Sequence, residues 1–426
     1  MASEAVAVVG LFGASTLAWA AFGGRLSKLN VTGPIFFAGA GLLAGPKLLD
    51  VASAPAQSEV VLLFAEITLA LLLFSDAARL GARAAIRSSG AALPVLAIGL
   101  PLVILAGWGL GLLVLDELLL WEAAILAAIL APTDAALGRS VVESPVVPRR
   151  VRNTLNVESG LNDGLSVPFF TLFLALAIDE ENAGSALEWI RFALEEIGFG
   201  VLAGVVVGVV GAELLRRARA RDWTSAAGLA LAPVALALAA WAGADPIGGN
   251  GFIAAFTAGL VFKARTDALD DENLEFADSE GRLATDAVFF LFGLAVLGIA
   301  IGNLTWAIAL YAVLSLTLVR MVPVAIALLR TGFGPRTTAF IGWFGPRGLA
   351  SIVLSLTLLA EGGELAGAQT ILDVTAIVVG ASILAHGVSS RLLSRRYGQS
   401  AEAASLEEAD EAAPAVPTRY GSPAGG

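Results

Sequence analysis

Residues 123–142 read AAILAAILAPTDAALGRSVV. An unbroken apolar run meets Pro132-Thr133-Asp134 and then resumes. Proline inside a helix removes a backbone donor and breaks the hydrogen-bond ladder. Here a hydroxyl and a carboxylate follow at the point where carbonyls are left free. A simple proline kink explains Thr133 but explains a carboxylate at that depth less well. A second stretch, 340–359, reads FIGWFGPRGLASIVLSLTLL and is interrupted in the same way by Gly345-Pro346-Arg347-Gly348. Interrupted apolar helices at corresponding places in two halves of a chain mark transporter binding sites.

The surrounding composition says what these helices cross. Of 426 residues, 57% are hydrophobic and only 15% are charged, against roughly 25% charged in soluble domains. Mean hydropathy is +0.82. A soluble chain of this size needs far more polar surface. With no cysteine and one histidine, disulfide scaffolds, thiolate zinc sites and cysteine nucleophiles are excluded. The chain reads as an all-α polytopic membrane protein, because Ala, Gly, Leu and Val runs take the place of alternating barrel strands.

A crossing helix needs about 20 mostly apolar residues. Thirteen spans are expected: 4–23, 31–49, 59–77, 91–114, 119–141, 154–178, 189–215, 223–243, 247–264, 283–302, 303–329, 336–360 and 368–393. The two broken spans are the fifth and twelfth. An offset of seven is odd, so they run in opposite directions, as an inverted repeat requires. With the N-terminus outside, 22 of the 26 Lys and Arg residues fall on the cytoplasmic side. Lys47 and Arg191 fall outside, and Arg320 and Arg347 lie within spans. The positive-inside rule supports that orientation, with a cytoplasmic C-terminus and a cell (inner or plasma) membrane location. The segment 1–396 is the membrane domain, and 397–426 reads as a disordered acidic tail. The net charge of −11 is concentrated in that tail and in the loop 263–282.

An ionisable group at membrane depth is a functional candidate. Glu66, Asp134, Glu158, Asp163, Arg320 and Arg347 qualify, with Asp76, Asp286 and Asp373 near span ends. Arg320, Asp76 and Asp286 are read as structural or snorkelling charges. Span 6 begins NTLNVESGLNDGLSVPFF. Glu158 and Asn162 share one helix face, as do Ser159 and Asp163. Ser159 and Asp163 can offer oxygens to one small cation, and Thr133 can join them from the break in span 5. Hard oxygen ligands suit alkali ions, so Asp163, Ser159 and Thr133 are the cation (metal) ligands expected from spacing. A carboxylate also binds a proton. Two cargoes competing for one group on alternate faces make an exchanger. Arg347 is the expected countercharge of Glu158.

Together these residues resemble the monovalent cation/proton antiporter superfamily. The match is nearest to its CPA1 branch of prokaryotic, NhaP-like sodium/proton antiporters, relatives of animal sodium/proton exchangers. The motifs are TGPIFFAGAGLLAGP (32–46), EITLALLLFSDAARL (66–80), LAPTDAALG (130–138), NVESGLNDG (156–164), GNGFIAAFTAGLVF (249–262), FGPRGL (344–349) and ILAHGVSSRLL (383–393). The resemblance implies two inverted six-helix repeats, elevator-like alternating access and a homodimer. Spans 1–3 and 8–10 would form mainly the dimerisation part, and spans 4–6 and 11–13 the ion-binding core. It implies that Asp163 is the ion- and proton-binding carboxylate. Asn162 before it is the residue expected of electroneutral exchange. Thr133, Ser159 and Glu158 match sodium-site positions, which adds Glu158 to the expected cation (metal) ligands. Glu158 and Arg347 match the core ion pair, and Asp134 the acidic position at the crossover. Ala135 departs from the family, which often has proline there. His386 matches a common His-Gly and reads as a packing residue or, alternatively, a pH sensor.

The expected function is Na⁺ (or Li⁺)/H⁺ antiport, probed against K⁺/H⁺ antiport on the same fold. A cation channel would need a filter segment, which the sequence lacks. An intramembrane enzyme is disfavoured by the Ser/Thr/Asn cluster. No cofactor is expected beyond the transported ions, and the expected partners are membrane lipids and a second copy of the chain, with no nucleic acid.

Overall fold

The computed structural model describes residues 2–53, 55, 58–80, 91–182, 186–265, 271–361 and 365–410. The described residues are helical, with turns and no strand. The helices are α1 (Ala2–Lys28), α2 (Gly33–Ala44), α3 (Glu59–Leu80), α4 (Leu100–Val114), α5 (Leu120–Ile129), α6 (Ala135–Val142), α7 (Arg149–Asn182), α8 (Ala186–Ala220) and α9 (Ala226–Ala244). They continue as α10 (Gly251–Arg265), α11 (Asp271–Phe292), α12 (Gly298–Gly302), α13 (Trp306–Leu316), α14 (Leu318–Leu328), α15 (Pro335–Trp343), α16 (Leu349–Glu361), α17 (Ala368–Gly398) and α18 (Ala401–Asp410). Lipid cannot hydrogen-bond a bare backbone, so helices that satisfy their own ladders are the expected solution.

Among the described residues, nine helical stretches are individually long and apolar enough to cross a membrane. Three further apolar helices are shorter: Gly33–Ala44, Leu120–Ile129 and Leu349–Glu361. The expected thirteen spans are therefore not thirteen uninterrupted helices. Spans 5 and 12 are each two half-helices, α5/α6 and α15/α16. Three irregularities were not expected. Five-residue π-helical turns fall at Val95–Gly99 and Gly293–Leu297, and Thr317 divides span 11 into α13 and α14.

The described part of the expected disordered tail is helical. Helix α17 runs to Gly398, and α18 folds back on the start of α15. There the Glu402 carboxylate accepts from the Thr337 backbone N–H at 3.0 Å and the Thr337 hydroxyl at 3.1 Å. It satisfies donors that a helix N-terminus leaves open. Residues 411–426 lie outside the described part, as do 266–270 of the acidic loop. That loop is otherwise the start of α11.

Helices α3, α8, α9 and α10 pack together, and α4–α7 pack with α13–α17. One close approach in the first group is α8 on α10. Gly200, Gly204 and Gly208 lie one turn apart, and a side chain at each would collide with the α10 backbone at Asn250, Ala254 and Ala258. Small residues at this spacing let membrane helices pack backbone to backbone. Gly204→Val should therefore destabilise the protein by about 1–3 kcal/mol, the usual cost of overpacking. Gly198→Val, with no neighbouring atom within 4 Å, should be close to neutral. Thermal unfolding of the purified variants in detergent reads the difference, and equal midpoints would refute the packing argument.

Candidate ion-binding site

The two broken helices cross at their breaks and satisfy each other. Helix α5 ends at Ile129 and leaves carbonyls free. Ser351 Oγ donates to the Ile129 carbonyl at 2.7 Å. Arg347 Nη1 donates to the Ala131 carbonyl at 3.0 Å and the Pro132 carbonyl at 3.4 Å. In return, the Asp134 N–H donates to the Pro346 carbonyl at 2.7 Å. The Asp134 carboxylate accepts from the Leu349 N–H at 2.8 Å, at the start of α16. Each charge thus meets the helix end of opposite polarity: a cation at the C-terminus of α5, an anion at the N-terminus of α16. Gly348 makes this possible, because a Cβ there would overlap the Asp134 carboxylate.

The second break is also held from α17. The Arg347 N–H donates to Ser382 Oγ at 2.7 Å. His386 Nε2 donates to the Trp343 carbonyl at 2.8 Å, and its Nδ1 lies 3.1 Å from Ser382 Oγ. His386 is buried. Its ring closes a chain from Arg347 through Ser382 to the C-terminal carbonyl of α15, which is a positioning geometry.

Beside the first break, α7 supplies the polar cluster. Thr133 Oγ1 and Ser159 Oγ are 3.1 Å apart, and Asn162 Nδ2 donates to Thr133 Oγ1 at 2.7 Å. Asn162 Oδ1 is buried with no hydrogen-bond partner among the described residues. Asp163 follows on the same helix, 8% exposed and one turn from Ser159. Thr133, Ser159 and Asn162 are thus brought into contact, with Asp163 adjoining through the helix.

The expected pair of Glu158 with Arg347 is not the contact that forms. Glu158 Oε1 lies 2.5 Å from Arg320 Nη2, with both side chains 3% exposed. The contact lacks hydrogen-bond alignment and is one of opposed charges. Arg347 remains within electrostatic reach of Glu158, but the side-chain hydrogen bonds it makes run from Nη1 to the carbonyls of the first break. Arg320, read from sequence as structural or snorkelling, is instead the direct partner. It reaches Glu158 from α14, lying over Gly345, where a Cβ would meet its guanidinium. It stands three residues after the interruption of span 11 at Thr317.

The other charges at depth lie elsewhere. Glu66 accepts from Thr357 at 3.5 Å. Asp373 accepts from Asn303 at 2.8 Å. Sequence reasoning missed Glu122, which is buried and accepts from the Leu119 and Gly367 N–H groups at 2.8 and 2.6 Å, a cap linking α5 to the start of α17. A cavity of about 740 Å³ opens where α2, α6, α11 and α17 meet, lined in part by Leu137, Arg139, Arg282, Asp286 and Arg391.

Removing one partner of a buried pair leaves a bare charge and costs about 3–5 kcal/mol. Arg320→Leu should show a loss in that range, largely relieved by adding Glu158→Leu. In the same double-mutant cycle by chemical or thermal unfolding, Glu158 should couple less strongly to Arg347 than to Arg320. The reverse order would contradict the pairing.

Comparison with known proteins bears on this geometry. The family described as sodium/hydrogen exchanger, transmembrane, matches residues 14–396. The chain is 25% identical over 301 residues to a Na⁺/H⁺ antiporter of Schizosaccharomyces pombe, covering 63% of each protein. It is 28% identical over 299 residues to the Na⁺/H⁺ antiporter NhaG of Bacillus atrophaeus, covering 67% of this chain and 55% of that protein. It is 26% identical over 279 residues to the K⁺/H⁺ antiporter NhaP2 of Shewanella oneidensis, covering 62% of this chain and 45% of that one. The matches span less than two thirds of the length of these relatives. In fold, the chain superimposes on the sodium proton antiporter MjNhaP1 of Methanocaldococcus jannaschii with a TM-score of 0.74 at 19% identity, covering 93% of this chain and 100% of that one. An all-helical membrane chain with two crossing helix breaks, matched over nearly its whole span, belongs to the sodium/hydrogen exchanger family of monovalent cation/proton antiporters.

Proposed function

We propose that the chain exchanges Na⁺ or Li⁺ for H⁺, one for one and without net charge movement, by competition of the two at Asp163. The observation that carries this reading is the charge count around the crossing breaks. The buried group Asp134, Glu158, Asp163, Arg320 and Arg347 holds three acids and two bases, which leaves it one positive charge short of neutrality. One monovalent cation, metal or proton, cancels it. A buried uncompensated charge is costly, so the core is best stabilised when Asp163 holds one ion of either kind.

Thr133, Ser159 and Asn162 Oδ1 supply neutral oxygens beside Asp163, as a dehydrated alkali ion needs. Glu158, held by Arg320, acts through the electrostatics of the site rather than as a free ligand. Asp134 and Arg347 hold the breaks. No group with redox or hydrolytic chemistry is needed, and transport rather than catalysis is the activity. K⁺/H⁺ exchange is the second reading, supported by the similarity to a K⁺/H⁺ antiporter.

In this reading α4–α7 and α13–α17 form the ion-binding core, and it moves against the remaining helices in an elevator-like step. The cavity of about 740 Å³ is the cytoplasmic vestibule, between α6 and α17 on one side and α2 and α11 on the other. The chain works as a homodimer in the cell membrane, with its N-terminus outside and C-terminus inside.

In proteoliposomes, Asp163→Asn should abolish Na⁺-driven proton movement. The wild-type rate should not change when valinomycin and K⁺ clamp the membrane potential. The apparent KM for Na⁺ should rise as pH falls, by up to about tenfold per pH unit where Asp163 is protonated. Exchange by Asp163→Asn, or a rate that follows voltage, would refute the single-carboxylate mechanism.

A further inference from the structure

A second site lies on the other side of the second break. Helices α15 and α17 run antiparallel there, and a groove of about 370 Å³ opens between them. Arg336 stands in the first turn of α15 and Arg396 near the last turn of α17, so the two guanidinium groups lie at the same end of the bundle. Both arginines are exposed, and neither forms a salt bridge among the described residues. Going deeper, the lining becomes apolar: Phe340, Trp343 and Phe344 on α15, and Leu393 on α17. The Phe340 and Phe344 rings are 4.7 Å apart, and Tyr397 stacks on Phe340 at 4.3 Å. At a rise of 1.5 Å per residue, Phe344 lies about 12 Å below Arg336 along α15.

The lining contains no carboxylate. Among the described residues Glu402 is an acid near Arg336, and its oxygens accept from the Arg336 and Thr337 N–H groups and the Thr337 hydroxyl. The groove therefore presents two cations at one end and aromatic surface below them, on helices that cross a bilayer. This order, anion-seeking at the membrane surface and apolar beneath, is that of a phospholipid on its side. Basic pockets between membrane helices bind anionic headgroups.

We propose that the groove between α15 and α17 binds one anionic phospholipid, its phosphate between Arg336 and Arg396 and its chains along Trp343 and Leu393, the half-buried part of the lining. A soluble phosphate would use the arginines but leave the aromatic floor uncovered. A zwitterionic lipid would use the floor but bring its own cation to the arginines. The site adjoins the ion-binding region: Trp343 and Phe344 are the last residues before the break, and the Trp343 carbonyl is the one held by His386. The proposal rests on the membrane placement of the chain and not on the exchange mechanism, so either can fail without the other.

The test uses the purified full-length protein, reconstituted in vesicles of phosphatidylcholine with or without phosphatidylglycerol, then extracted gently and weighed by native mass spectrometry. Wild-type protein should retain one phosphatidylglycerol in preference to phosphatidylcholine. Each arginine near an anionic headgroup contributes about 1 kcal/mol, so R336Q/R396Q should weaken retention by roughly 30-fold. R216Q/R217Q, which removes arginines already paired with Glu213, should not. Because Arg336 and Arg396 are exposed, the thermal midpoint should stay unchanged. Equal retention by R336Q/R396Q, equal retention of phosphatidylcholine, or an equal loss in R216Q/R217Q would overturn the proposal. Displacement of the lipid by glycerol 3-phosphate alone would also overturn it, in favour of a soluble-phosphate site.

Discussion

The structure depends on one constraint: a helix broken inside a membrane must satisfy its free backbone groups without water. Here each break is satisfied by the other. The carbonyls at the end of α5 are taken by Arg347 and Ser351. The first N–H of α16 is taken by Asp134. Neither break is self-sufficient, so the two halves of the chain are tied together at their most irregular points. The tie is electrostatic as well as geometric, because each side chain carries the charge that its helix end attracts.

That arrangement explains why polar residues gather beside the crossing. Once Thr133 and Asp134 are held there, α7 packs alongside with Ser159 and Asn162 against Thr133. Glu158 on the same helix points to Arg320 instead. Charges that serve architecture are thereby paired off or placed on helix ends. In the proposed mechanism Asp163 is the group that binds the cargo. The same economy gives His386 a positioning geometry: its Nε2 holds the last carbonyl of α15, and a second segment of α17 holds Arg347 through Ser382.

Much of this is legible in the sequence. Pro132 and the Gly345-Pro346 pair mark both breaks, since proline and glycine interrupt apolar helices for stated backbone reasons. The i, i+4 spacing in span 6 gives the face that meets Thr133. What the sequence does not show is pairing across distance. Glu158 had two buried arginines as possible partners, Arg320 and Arg347, and spacing along the chain does not choose between them. The choice follows from where the fold places the two guanidiniums: Arg347 Nη1 lies on the carbonyls of the first break, and Arg320 lies against Glu158. The cap that Glu122 places on Gly367, 245 residues away, is hidden for the same reason. The docking of Glu402 on α15 corrects the view of the C-terminal segment, because composition alone reads an Ala/Glu-rich stretch as disordered even when it has a helix end to cap.

The central claim is that a single carboxylate holds either one cation or one proton. Calorimetric titration of Na⁺ into the purified protein, in buffers of different ionisation enthalpy, counts the protons released per ion bound. The account requires that the count approach one at acid pH, where Asp163 is protonated, and fall towards zero at alkaline pH. Na⁺ binding without proton release at any pH, or release of two protons per ion, would contradict it.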